Sequence, residues 1–105
     1  MATKKLPGVL WSALGPVTVT MKDLKGENAL GQFKWNSREI ELEKTLPPST
    51  QAVTLFHEIT HMGLMDSGVA NNLTHEQNEA VCDALGVLLG GMLLNGCLSL
   101  KPHKE

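Results

Sequence analysis

Tyrosine is absent from this sequence, arginine occurs once, at Arg38, and the aromatic residues are limited to Trp11, Phe33, Trp35 and Phe56. A core with so few rings must be built from aliphatic side chains and methionine, and in 105 residues it will be thin. There is no basic run: nine Lys plus Arg stand against eleven Asp plus Glu, a formal charge of −2, which argues against electrostatic capture of nucleic acid. Trp11 and Trp35 lack the basic neighbours of a base-stacking platform. Cysteine is scarce as well. Cys82 and Cys97 lie fifteen residues apart on helical-looking sequence, too far to bridge without a chain reversal, and both are expected as reduced, buried thiols. The two lysines near the N-terminus lead into Leu6-Pro7-Gly8 rather than an apolar stretch, so no signal peptide is expected and the cytoplasm is the default location. Residues 84–100 carry no charge, but Asn95 and four glycines interrupt them, so a packed helix is a better reading than a membrane span.

The length fits one domain, residues 1–105, without repeats or linkers. Its first half is strand-like and its second half helical. Val17, Val19 and Met21 alternate with threonines over residues 16–23, Phe33 and Trp35 share a face, and Ile40 and Leu42 alternate with Glu39, Glu41 and Glu43. Three antiparallel strands are expected, with Asn36-Ser37 as a hairpin turn and the three glutamates on a solvated face. Residues 24–28 read as a loop. After Pro47-Pro48, Ser49 or Thr50 is placed to cap a helix that continues with apolar spacing to about Gly68. Thr74 and Gln77 form a capping-box pattern for a second helix, which ends near Gly96. Met62, Met65 and Met92 read as core filler.

The chemistry concentrates in His57-Glu58-Ile59-Thr60-His61. A spacing of four puts both imidazoles one turn apart on one face, where two nitrogens reach one metal ion, and Glu58 lies beside them to take a proton from water. Two imidazoles suit zinc, which in catalytic sites has three protein ligands and an open position. Asp66 lies about 140° around the helix from His61 and points away. His75, His103, Glu76, Glu79 and Asp83 remain as candidates. Glu79 and Asp83 share a face of an otherwise apolar helix and so need partners: Glu79 as third ligand, Asp83 as acceptor from a ligand histidine's second ring nitrogen. His75 lies one turn before Glu79 and is expected near the cleft, as an oxyanion donor, a competing ligand or merely a residue of the helix's first turn.

Residues 54–83 resemble the gluzincins, zinc peptidases with two motif histidines and a glutamate from a following helix. Asn78-Glu79-Ala80-Val81-Cys82-Asp83 is similar to the Asn-Glu-x-x-x-Asp motif of thermolysin-like enzymes, and Thr54-Leu55-Phe56-His57-Glu58 to the helix start of small phage-type ImmA/IrrE-like metallopeptidases. The resemblance implies an α+β, minimal zincin-like fold: a three-stranded antiparallel sheet packed on an active-site helix and a glutamate-bearing C-terminal helix. It implies His57, His61 and Glu79 as zinc ligands, Glu58 as general base, Asp83 as their support, and a peptide or protein substrate lying along the edge of the hairpin 32–43. The sequence departs from the larger enzymes in lacking their oxyanion tyrosine and any second subdomain. A zinc-stabilised domain that binds or regulates without cutting is the alternative.

Overall fold

The computed structural model describes residues 6–100. Candidate ligand His103 and the two-lysine N-terminus lie outside them. Four strands, β1 (Val9–Ser12), β2 (Gly15–Lys22), β3 (Gly31–Lys34) and β4 (Glu39–Glu43), precede two helices, α1 (Pro48–Asp66) and α2 (His75–Leu94). The fold is α+β, as expected, but the sheet is mixed, in the order β1-β2-β4-β3.

The three-stranded antiparallel sheet is therefore corrected twice. Val9–Ser12 adds a strand, pairing antiparallel with β2 from Val9 opposite Thr18 to Ser12 opposite Gly15. After β2 the chain passes through a short 3₁₀ turn at Lys25–Glu27 to the far edge, and β4 returns between β3 and β2, antiparallel to the first and parallel to the second. Strand periodicity shows which residues share a face but not which strands are neighbours. Leu24, expected in a loop, is fully buried beside this crossing.

The central place of β4 also corrects the reading of its glutamates. Glu41 and Glu43 are buried, and Glu39 is half-buried. Glu41 accepts from Gln32 Nε2 at 2.6 Å and meets Lys34 Nζ at 3.3 Å and Lys22 Nζ at 3.4 Å, all from the flanking strands. Glu43 accepts from the Leu24 N–H at 2.7 Å and from the Thr45 N–H and hydroxyl. Each carboxylate replaces its lost hydration with donors, Glu41 from the strands on both sides of β4 and Glu43 from Thr45 just beyond β4 and Leu24 just beyond β2.

On the opposite face Val17, Val19, Ile40 and Leu42 pack against Leu55 and Met62 of α1. A second cluster, Ala52, Phe56 and Leu93, joins α1 to α2, with Leu89 and Leu98 against it. Of the three methionines expected in the core only Met62 is buried; Met65 and Met92 are exposed. Cys82 is buried and Cys97 exposed, both as free thiols. Both tryptophans are about half exposed, at 50% and 49%.

Helix α1 begins earlier than expected: Pro48 takes the first helical position, where its missing N–H costs nothing, and no side chain caps the end. Ser49 and Thr50 lie inside the helix. Helix α2 has the expected capping box, with Thr74 and Gln77 exchanging hydrogen bonds, and closes at Asn95, with Gly96 at φ 77°. No helix among the described residues is long and apolar enough to cross a membrane.

Two contacts set the walls of the site. At Gly86 and Gly90, a Cβ on either residue would stand 2.9 Å from the Val53 carbonyl oxygen or 2.8 Å from Val53 Cα, so only glycine lets α2 lie this close to α1. At the other end of α1, Arg38 reaches from the β3–β4 turn to Asp66 with two bonds of 2.8 and 2.9 Å, and the Trp35 indole N–H adds a third at 3.1 Å. Asp66 is thus turned away from the histidines, as helical geometry requires, and clamps the edge hairpin to the helix. Trp35, expected on β3 beside Phe33, belongs to this turn.

Candidate metal centre

His57 and His61 stand one turn apart on α1, and the close crossing at Gly86 and Gly90 brings α2 alongside them. Their Nε2 atoms are 3.2 Å apart. Glu79 of α2 places Oε2 2.6 Å from His61 Nε2 and 3.4 Å from His57 Nε2. Three potential ligand atoms this close need a shared proton or a cation among them. Ligand atoms about 2.0–2.1 Å from a tetrahedral zinc stand about 3.3 Å from each other, close to two of these three separations. Glu79 Oε2 is also buried and, despite its nearness to His61, receives no aligned N–H. An orphaned buried carboxylate oxygen facing two ring nitrogens fits a metal ion, and the donor set of two imidazoles and a carboxylate suits zinc.

Asp83 lies one turn beyond Glu79, on the same face of α2, and its Oδ1 is 2.9 Å from His57 Nδ1. Donation of the Nδ1–H to this carboxylate leaves the Nε2 lone pair free to face the cluster. Asp83 thus has a hydrogen-bond partner and Glu79 faces both histidines, but at the mouth of a cleft rather than in the core: the Glu79 and Asp83 side chains are 40% and 73% exposed.

Glu58 is 6% exposed. Burial pushes its carboxyl above the usual range, the nearby histidines oppose that rise and Glu79 adds to it. It lines a cleft of about 570 Å³ together with His57, His61, Glu79 and Asp83. The opposite wall is residues 29–33, including the start of β3. As the last strand of the sheet, β3 has one edge without a strand neighbour among the described residues. Leu30, Val53 and Met65 make much of the remaining lining apolar, and no arginine, lysine or tyrosine among the described residues lines it.

The structure therefore brings together His57, Glu58, His61, Glu79 and Asp83. It does not bring His75 to them: the side chain, on the first residue of α2, is exposed and is not part of the lining. One turn before Glu79, His75 lies outside the residues that line the cleft. Cys82 is the residue that sequence reasoning did not connect to the site. Its sulfur joins the donor atoms of His57, His61 and Glu79 in a group lying within 4.8 Å of one another. The available signal was its spacing of three from Glu79, which shares a helix face as surely as the spacing of four does. Burial, with Glu79, Glu58 and Asp83 nearby, pushes the Cys82 thiol up to about 11.

No curated protein and no solved structure matches the chain. A family model does, over residues 14–94, from the start of β2 to the end of α2, and so takes in both histidines, Glu58 and the acidic face of the second helix. By that match the chain belongs to the IrrE N-terminal-like domain family of M78 peptidases, a family of small metallopeptidase type.

Proposed function

We propose that this chain is a single zincin-like domain that binds one zinc ion through His57, His61 and Glu79, in the gluzincin manner, and hydrolyses peptide bonds. The observation that carries the reading is the convergence of three lone-pair atoms within 3.4 Å, with Asp83 fixing the His57 tautomer. Zinc, when bound, supplies Lewis-acid polarisation to the scissile carbonyl and to the attacking water. Glu58, in the cleft wall beside the histidines, takes a proton from that water on its carboxylate and passes it to the leaving amine. Its raised proton affinity suits both transfers. The free edge of β3 holds an extended peptide or protein segment by backbone pairing, which is largely indifferent to sequence. The apolar lining accommodates uncharged side chains.

Metal content of the purified chain, wild type beside Glu79→Ala, tests the site. About one zinc per chain, lost or strongly weakened in the variant, is expected; wild type without stoichiometric metal refutes the reading. Glu58→Gln then separates the peptidase from a zinc-stabilised module that only binds or regulates. The variant should keep metal and fold but lose cleavage, and unchanged cleavage would remove Glu58 from the reaction. The module reading has one observation in its favour, a fourth donor at the site.

A further inference from the structure

That donor is Cys82, and we propose that its sulfur is a fourth protein ligand, making the resting site a His57, His61, Glu79, Cys82 set. The inference rests on the metal reading above and goes beyond it. Helix α2 presents Glu79, Cys82 and Asp83 at spacings of three and four on one face, and that face is pressed against α1 by the crossing at Gly86 and Gly90. Glu79 reaches the histidines directly, Asp83 supports one of them, and Cys82 lies between the two in sequence with its side chain fully buried.

The distances allow it. In a tetrahedral site with metal–sulfur about 2.3 Å and metal–nitrogen about 2.0–2.1 Å, sulfur and nitrogen stand about 3.6 Å apart. The four donor atoms already lie within 4.8 Å of one another, so closing the set needs a contraction of up to about 1.2 Å, within reach of a side-chain adjustment. Cys82 does not line the cleft, so its sulfur meets the ion from the packed side between the helices while the cleft side faces substrate.

Two consequences follow from the chemistry. Binding replaces the thiol proton, which leaves to solvent as the sulfur–metal bond forms. A set of two imidazoles, one carboxylate and one thiolate carries two negative charges, which neutralise a dication in this half-buried place, and the sulfur shifts preference toward thiophilic ions such as zinc, cobalt and cadmium over manganese or magnesium. Four protein donors would leave a tetrahedral ion no open position at rest, and water would gain one only if the sulfur yielded its place or the coordination number rose to five.

Cobalt substitution and zinc X-ray absorption test this on the full chain carrying Cys97→Ser, which removes the exposed thiol and leaves Cys82 as the single sulfhydryl. The expected result is a thiolate-to-cobalt charge-transfer band in the near ultraviolet, absent once Cys82→Ser is added, and one sulfur scatterer at about 2.3 Å from zinc. Zinc affinity should fall in the double variant by at least the roughly 10–100-fold loss typical of removing a ligand's supporting partner. Stoichiometric metal with visible cobalt bands but only nitrogen and oxygen scatterers overturns the Cys82 assignment and leaves the three-ligand site standing. Failure to bind metal at all overturns both. The absorption measurement needs no change at Cys82, so it decides the matter even where Cys82→Ser fails to fold.

Discussion

Alanine substituted at Gly90 and at the adjacent Gly91 should move stability in opposite directions. Both residues lie inside α2, so each substitution gains the same helix propensity, roughly 0.8–1 kcal/mol. Their surroundings differ. A Cβ at Gly91 meets nothing within 4 Å, whereas one at Gly90 would stand 2.8 Å from Val53 Cα, 2.9 Å from Val53 N and 3.0 Å from Val53 Cγ2. Backbone atoms cannot rotate away, so the helices must separate by several tenths of an ångström, and overpacking of this kind costs about 1–3 kcal/mol. Gly91→Ala should therefore stabilise by up to about 1 kcal/mol, while Gly90→Ala lies between neutral and a loss of about 2 kcal/mol. The propensity gain cancels in the comparison, which isolates the packing cost. For a domain of this size 1 kcal/mol moves Tm by about 4–8 °C, so thermal unfolding of the metal-free variants should separate them by at least that much. The same separation carries Glu79 and Asp83 away from the histidines, so Gly90→Ala should also bind zinc more weakly and Gly91→Ala should not. Equal Tm shifts of the same sign at both positions would refute the close-crossing account.

Asp83→Ala removes only the acceptor on His57 Nδ1. Zinc affinity, measured by competition with a chromophoric chelator, should fall about 10–100-fold, with the metal-free Tm little changed because the side chain is 73% exposed. Glu58→Gln should raise the Tm of the metal-free protein at neutral pH. Burial holds the folded carboxyl above its unfolded value, so stability is fully present below the unfolded value and is lost as pH rises through the folded one, a loss that glutamine does not suffer. An unchanged difference between pH 5 and pH 8 in the variant would contradict this. Glu43 has the opposite sign: the Thr45 hydroxyl, then the Leu24 and Thr45 N–H groups, lower its carboxyl to about 2, so its contribution is present above about 4.5 and lost as pH falls toward 2. Glu43→Gln should unfold more readily in urea at pH 7 yet lose less stability than wild type on acidification to pH 3.

What the sequence determined by itself is what depends on spacing within one element. Two histidines four apart on α1, and Glu79 and Asp83 four apart on α2, share helix faces whatever surrounds them, and the capping box at Thr74 and Gln77 is built from local hydrogen bonds. The α+β class follows in the same way from two kinds of periodicity, and the rotation of Asp66 away from the histidines follows from helical geometry. Tertiary structure decided everything that depends on which elements are neighbours. The hairpin with its edge β3 and the residues of β4 are local, but the placement of β4 beside β2 is not, and with it went the burial of Glu41 and Glu43 that alternation had assigned to solvent. Arg38, alone of its kind in the chain, gave no local sign of its clamp on Asp66 twenty-eight residues away. The nearness of Cys82 to the candidate site, and the placement of His75 outside the cleft lining, depend on how α2 packs against α1 at Gly86 and Gly90 and not on spacing along α2. Spacing places side chains along a helix; only packing selects which turn meets the candidate site.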